Sequence, residues 1–118
     1  MTIPLDIIDL SKTYDTKEAV RNISFKVNEN EIIGILGPNG CGKTTTIGMI
    51  LGLLKPTKGK VLINGIEIEK QRVELLNKLN FISPYIELPK KLTVKQNLEV
   101  YGRLYDVKKL GIKIDYLC

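Results

Sequence analysis

Short stretches in the first third of the chain alternate between apolar and polar residues. The segments IPLDI (residues 3–7) and ISFKV (residues 23–27) place every second residue on an apolar face. This period of two predicts two half-buried β-strands. The segment IIGIL (residues 32–36) is instead almost continuously apolar, which is typical of a strand buried on both faces, as in a parallel sheet.

Two later segments have the 3.6-residue period of amphipathic helices. The first is predicted from Lys43 to Leu54, and Pro56 and Gly59 then end it. The second is predicted over residues 69–79. We expect the first helix to bury Ile47, Ile50, Leu51 and Leu54, and the second to bury Val73, Leu76 and Leu79.

Turn and capping residues predict the remaining elements. Asn64-Gly65 lies between the apolar segments 61–63 and 66–68, which is the pattern of a tight β-hairpin. Residues 81–82 suggest a short strand. Thr93 and Gln96 have the spacing of a capping box, so a helix is predicted from there to about residue 105. Its apolar face is expected to contain Val94, Leu98, Tyr101 and Tyr105.

The order of these elements predicts the class of fold. Strands come first, then a strand, a loop and a helix, and finally a hairpin and further helices. This order is typical of an α/β protein with an antiparallel portion beside at least one buried strand. The chain has 118 residues, a length that corresponds to one domain.

Composition excludes several classes of protein. No apolar run approaches the roughly 20 residues that span a bilayer, and the first ten residues contain two aspartates and no basic residue, unlike a signal or transit peptide. The expected compartment is therefore the cytoplasm. Two cysteines without a CxxC spacing and no histidine argue against a metal cluster or a disulfide framework.

The net charge is +5, and lysines cluster at residues 55–60 and 90–95. Such clusters can bind phosphates, nucleic acid or anionic lipid headgroups, although solvated loops are the more ordinary explanation. Aromatic residues do not interleave with the basic runs, so a nucleic-acid surface is not expected.

The segment GPNGCGKT (residues 37–44) matches the phosphate-binding pattern G-x-x-x-x-G-K-[ST]. Glycines allow positive φ, so that successive N–H groups can point into one concavity. A helix that begins near Lys43 adds its positive end. Lys43 is expected to reach the β- and γ-phosphates, Thr44 to bind Mg²⁺ and Thr45 to reach the α-phosphate. A chance match remains the alternative, but a predicted buried strand before the loop and an amphipathic helix after it favour nucleotide binding.

Cys41 lies inside this loop. A thiol near a helix N-terminus can be reactive, but a small loop residue without a chemical role is the favoured interpretation.

The segment GPNGCGKTTT resembles the ATP-binding subunit of ABC transporters. So do the flanking segments SKTY (residues 11–14) and LGLLKPTKGKVLINGIEI (residues 51–68). The similarity is greatest to multidrug and ABC-2-type exporter subunits. The resemblance implies the N-terminal part of a P-loop NTPase core, with an antiparallel β subdomain and the start of a helical subdomain. It also implies that Tyr14 stacks on adenine and Val20 lines the base pocket. The expected MgATP-binding residues are Tyr14, Val20, Asn39, Gly40, Cys41, Gly42, Lys43, Thr44 and Thr45, with Thr44 as the metal ligand.

The sequence departs from the family in two ways. Pro84 stands roughly where the family has a glutamine that contacts Mg²⁺ and the attacking water. The chain is also expected to be one partial domain, residues 1–118, that ends before the signature and Walker B motifs. No catalytic residue is therefore assigned, and the 118 residues are not expected to hydrolyse ATP by themselves.

The resemblance implies a peripheral subunit at the cytoplasmic face of a membrane that energises transport with a second nucleotide-binding domain and a transmembrane partner. Three alternatives remain open. The chain can be a free-standing or remnant fragment that binds nucleotide without turnover, a non-transport ABC protein, or a P-loop protein of another class, such as a GTPase or small-molecule kinase.

Overall fold

A computed structural model of the chain describes residues 3–83 and 87–118. These residues form two compact units, Met1–Leu79 and Asn80–Cys118. The first unit contains β1 (Leu5–Tyr14), β2 (Lys17–Val27), α1 (Lys43–Ile50), β3 (Lys58–Ile63), β4 (Ile66–Glu67) and α2 (Arg72–Leu76). The second contains α3 (Val94–Leu104) and α4 (Leu110–Leu117). Pro84, expected near the family's glutamine position, lies outside the described residues.

The strands of the first unit form one antiparallel sheet in the order β2-β1-β3-β4. Both predicted N-terminal strands are present, but β1 and β2 run longer than the alternating segments that predicted them. The predicted hairpin is also present. Asn64 and Gly65 have φ values of 50° and 78° between β3 and β4, the positive φ pair that a two-residue hairpin turn requires.

The core of the first unit lies between this sheet and its helices. Ile7 and Leu10 of β1 are buried together with Met49 of α1 and Leu75 of α2. Burying a large aliphatic side chain contributes about 1.5–3 kcal/mol, so these contacts hold α1 and α2 on the sheet. The remaining members of the cluster are Val20, Val61, Ile63 and Ile68.

The predicted buried strand at residues 32–36 is wrong for this structure. The segment has no strand assignment, and the side chains of Ile32 and Leu36 are 97% and 93% exposed. A strand buried on both faces needs neighbours that pair with its backbone and cover each face. The sheet formed by the described residues offers no such neighbours, because the segment is absent from its strand order.

Both helices of the first unit are shorter than predicted, and their buried faces differ from the prediction. In α1 the buried residues are Thr46 and Met49, while Ile47 is exposed. Ile50 and Leu54 do pack against the core. In α2 the buried residue is Leu75, and Val73 is 79% exposed, whereas Leu79 packs against the core as predicted. The spacing of apolar residues predicted both helices but not which side of each helix is buried. The buried side is set by the sheet against which the helix packs.

The capping box of α3 is confirmed. The Gln96 N–H donates to Thr93 Oγ1 over 3.2 Å, and the Thr93 N–H donates to Gln96 Oε1 over 2.9 Å. The predicted apolar face is wrong, because Val94 is exposed and the buried residues of α3 are Asn97 and Gly102. No strand forms at residues 81–82, and α4 was not predicted.

Two glycines of the second unit provide a matched stability test. A Cβ on Gly102 of α3 would lie 2.1 Å from Leu110 Cδ1, whereas a Cβ on Gly111 of α4 would meet nothing within 4 Å. We expect Gly111→Ala to raise the free energy of unfolding by about 0.5–1 kcal/mol, since alanine is the better helix former. Gly102→Ala has the same propensity gain, but overpacking against Leu110 should cost about 1–3 kcal/mol, so this variant should be the less stable of the two. Urea unfolding monitored by circular dichroism measures both changes; equal effects would contradict the observed α3–α4 packing.

Candidate functional site

The loop of residues 37–42 leads directly into the N-terminus of α1. Gly40 and Gly42 have φ values of 82° and 95°, a left-handed conformation that glycine adopts without a steric cost. Gly42 is the N-cap residue of α1. The first helical bond runs from the Thr46 N–H to the Gly42 carbonyl over 2.8 Å. The N–H groups ahead of Thr46 therefore have no partner within the helix, and they lie at its positive end.

The ammonium group of Lys43 lies over the same loop. Its Nζ donates to the carbonyl oxygens of Gly37 and Pro38 over 2.6 and 2.7 Å, and it lies 3.7 Å from Cys41 Sγ. An ammonium has three N–H donors; two make short bonds to carbonyl oxygens, and the third makes only the long contact with the Cys41 sulfur, which a stronger acceptor could replace. No acidic residue lies in the first turn of α1. The helix terminus and Lys43 thus concentrate positive charge where the sequence predicts phosphate.

Gly42 also fixes the loop to the sheet. A Cβ at this position would lie 2.3 Å from the Ala19 carbonyl oxygen and 3.0 Å from Val20 Cγ2. Only a residue without a side chain permits such an approach. The N-terminus of α1 therefore packs directly against β2. Thr46 supports the junction, because its Oγ1 donates to the Gly42 carbonyl over 2.9 Å.

The remaining predicted loop residues lie at the surface. Asn39, Gly40, Cys41 and Thr44 are exposed, and Thr45 is partly exposed. The Cys41 N–H donates to the Pro38 carbonyl over 3.4 Å. An exposed hydroxyl at the start of a helix is available to a metal or a phosphate oxygen, which is what the predicted roles of Thr44 and Thr45 require.

A cavity of about 730 Å³ lies between β2 and the residues around the loop. This volume falls within the range of small-molecule sites. Four predicted binding residues line it together: Val20, Cys41, Gly42 and Lys43. Val20 is nevertheless buried in the core and touches Gly42, so it supports the loop as well as lining the cavity.

Tyr14 lies at the end of β1 and is not among the residues lining this cavity. Its side chain is 44% exposed, and the Lys12 ammonium lies 5.0 Å from the centroid of its ring. The structure thus brings the loop, Lys43 and Val20 together and leaves Tyr14 as a separate, accessible aromatic ring.

Three features of the site were missed in the sequence. The Gly42 contact with β2 depends on tertiary packing, which local patterns do not reveal. The Thr46 bond to the Gly42 carbonyl is a local i→i−4 bond, so the spacing of these two residues was the available signal. The position of Lys12 over Tyr14 could have been suspected, because residues i and i+2 of a strand lie on the same face.

Comparison with known proteins identifies the family of this chain. The family model described as "ABC transporter" matches residues 20–115. The chain belongs to the ABC transporter family. The match begins within β2 and includes the loop, α1 and most of the second unit, whereas β1 lies outside it.

Curated members of the ABC transporter family are similar over most of the chain. Nod factor export ATP-binding protein I of Rhizobium etli is 38% identical over 86% of the chain and 32% of its own length. The ABC transporter ATP-binding protein NatA of Bacillus subtilis is 34% identical, over 92% of the chain and 46% of its own length. The choline transport ATP-binding protein OpuBA of Bacillus subtilis is 39% identical, over 85% of the chain and 27% of its own length. The chain thus spans less than half the length of these relatives.

Solved ABC structures confirm the predicted fold class. An ATP-binding subunit of an ABC transporter superposes with a TM-score of 0.81 at 29% identity, covering 92% of this chain and 45% of that chain. An ATP-binding cassette solved as a post-hydrolysis dimer with ADP and Pi has a TM-score of 0.72 at 27% identity, covering 86% and 47%. The chain is accordingly the N-terminal part of a P-loop NTPase fold of the ABC type. No helix within residues 3–83 and 87–118 has the length and apolar character needed to cross a bilayer.

Proposed function

We propose that the chain binds MgATP through residues 39–45, with the triphosphate at the N-terminus of α1. The observation that carries this proposal is the position of Lys43, whose Nζ lies over the loop at 2.6 and 2.7 Å from two of its carbonyl oxygens. The same ammonium would contact the β- and γ-phosphates when the nucleotide binds. Thr44 would hold Mg²⁺, and Thr45 would contact the α-phosphate.

Adenine recognition is the second part of the proposal. Tyr14 presents an accessible ring, and stacking on an aromatic face binds a base with little discrimination between bases. Val20 would contact the base from β2. The roles of Asn39, Gly40, Cys41 and Gly42 would be to offer backbone N–H groups to the phosphates.

The biological role that we propose is that of the ATPase subunit of an ABC membrane transporter. It would act at the cytoplasmic face with a second nucleotide-binding domain and a transmembrane subunit. The relatives named for Nod factor export and choline transport support a role in transport, and the dimeric ADP-bound cassette supports pairing. ATP hydrolysis would need motifs that these 118 residues lack, because phosphoryl transfer depends on precisely positioned charge.

Within that role, an exporter of the multidrug or ABC-2 type is the finer proposal. The Nod factor relative supports export. The choline relative is about equally similar, so overall similarity does not distinguish these subgroups.

Thermal unfolding of the 118-residue chain with and without MgATP tests nucleotide binding. A ligand that binds only the folded state stabilises it by about 2.7 kcal/mol at a hundredfold excess over its Kd. We expect the unfolding midpoint to rise with MgATP concentration, and equilibrium dialysis to show one bound nucleotide. A midpoint unchanged by MgATP, together with no retained nucleotide, would contradict the proposal. Phosphate release by the same chain would contradict the expected lack of turnover.

A further inference from the structure

We propose that Lys12 is a positioning residue for the adenine-stacking ring of Tyr14. The proposal rests on the proposed nucleotide site and deepens it. The Lys12 Nζ lies 5.0 Å from the ring centroid. A cation at this distance is attracted by the negative face of an aromatic ring, so the ammonium occupies one face of Tyr14.

Lys12 is itself held in place. Its Nζ donates to the Lys55 carbonyl oxygen over 2.8 Å. The neighbours of Lys12 are tied to the same segment, because the Thr57 N–H donates to the Ser11 carbonyl over 2.9 Å and the Thr13 N–H donates to Thr57 Oγ1 over 3.0 Å. These bonds fix the end of β1 on both sides of Lys12.

The ammonium thus covers one face of the Tyr14 ring. The side chain remains 44% exposed, and the ring belongs to the last residue of β1. A ring held by an ammonium on one side has lost part of its rotational freedom before the base arrives. Because ordering a side chain on binding costs affinity, a ring fixed in advance binds adenine more tightly.

The interaction should affect the base and not the phosphates. The Lys12 ammonium contacts the Tyr14 ring and the Lys55 carbonyl, neither of which belongs to the loop of residues 37–42, whereas Lys43 contacts that loop. We therefore expect Lys12 to contribute to the affinity for MgATP and not to the affinity for magnesium tripolyphosphate, which has the same phosphates without a base.

The test measures the Kd of the 118-residue chain for both ligands. Lys12→Met keeps the aliphatic stem and removes the charge. It should weaken MgATP binding about three- to tenfold and leave tripolyphosphate binding unchanged. Lys12→Arg should restore MgATP binding, because a guanidinium also stacks on aromatic rings. In a Tyr14→Leu background, Lys12→Met should have no further effect.

Other outcomes would overturn the inference. An equal loss for the two ligands would mean that Lys12 acts on phosphate charge or on folding. An unchanged affinity of Lys12→Met for both ligands would remove the positioning role while leaving the proposed function intact. Binding of neither ligand by the unaltered chain would overturn both proposals. A measurement without nucleotide checks the contact itself: the Lys12 ε-methylene protons should show an upfield ring-current shift in NMR spectra, which Tyr14→Leu should abolish.

Discussion

Replacing Lys43 with alanine is expected to remove most of the stabilisation that MgATP gives to the folded chain. The Nζ of Lys43 lies over the loop, and its third donor makes only a long contact with Cys41 Sγ, which a bound phosphate oxygen would replace. A hydrogen bond to a charged group contributes about 1.5–3 kcal/mol, so the Kd should rise roughly a hundredfold. At a ligand concentration one hundred times the original Kd, the stabilisation should fall from about 2.7 to about 0.4 kcal/mol.

Thermal unfolding with increasing MgATP measures this loss. Lys108→Ala is the matched control, because it removes the same charge from an exposed position in the second unit. The control should respond to MgATP as the unaltered chain does. Equal responses of Lys43→Ala and Lys108→Ala would place the nucleotide elsewhere. Without nucleotide, Lys43→Ala should change stability only slightly, since its hydrogen bonds are made at an exposed loop.

Local signals in the sequence predicted several elements correctly. The Asn64-Gly65 turn and the Thr93–Gln96 capping box each act over four residues or fewer, and both are present. Local chemistry determines such features because their hydrogen bonds and φ values involve only neighbouring residues. The phosphate loop is similar, since its glycines and the helix that follows are adjacent in the chain.

Features that depend on distant partners were predicted less well. The segment 32–36 has the composition of a buried strand, but it lies outside the sheet formed by the described residues. The buried face predicted for α3 was also wrong and that predicted for α1 was only partly correct, because Thr46 and Asn97 are buried despite being polar. Thr46 bonds to the Gly42 carbonyl, and the Asn97 amide donates to the carbonyls of residues 89, 92 and 93. A polar group with a hydrogen-bond partner is buried at little cost, which applies to the Thr46 hydroxyl and the Asn97 NH₂ group; the Asn97 Oδ1 has no partner among the described residues.

The candidate site contains some features that local sequence predicts and others that depend on residues distant in the chain. Its loop was predicted from the sequence, and the expected roles of its residues remain predictions. Its attachment to β2 through Gly42 was not predicted, since Ala19 and Gly42 are distant in sequence. The i, i+2 spacing of Lys12 and Tyr14 was a local signal for their contact, but the bond that holds Lys12 to the Lys55 carbonyl joins segments that no local pattern connects.

The attachment of the loop to β2 leads to a second large effect. Gly42→Ala should lower the free energy of unfolding by about 2–5 kcal/mol. About 1–2 kcal/mol would come from the left-handed φ of 95°. A further 1–3 kcal/mol, approximately, would come from the new Cβ, which would lie 2.3 Å from the Ala19 carbonyl oxygen.

Gly40→Ala separates these two contributions. Gly40 has a similar φ of 82°, but a Cβ there would meet nothing within 4 Å. Gly40→Ala should therefore lower the free energy of unfolding only by the cost of the left-handed backbone, about 1–2 kcal/mol. Urea unfolding of the two variants without nucleotide measures the difference, provided that the m-values agree. Equal losses in the two variants would show that the close approach of α1 to β2 contributes nothing to stability.

The Gly42→Ala variant also tests whether the contact with β2 affects nucleotide binding. Gly42 is the N-cap residue of α1, so a Cβ that pushes it away from Ala19 would also shift the helix N-terminus and the backbone of Lys43. We expect Gly42→Ala to weaken MgATP binding at temperatures where the variant is still fully folded. A folded Gly42→Ala chain that binds MgATP as tightly as the unaltered chain would show that phosphate binding does not depend on the contact between α1 and β2.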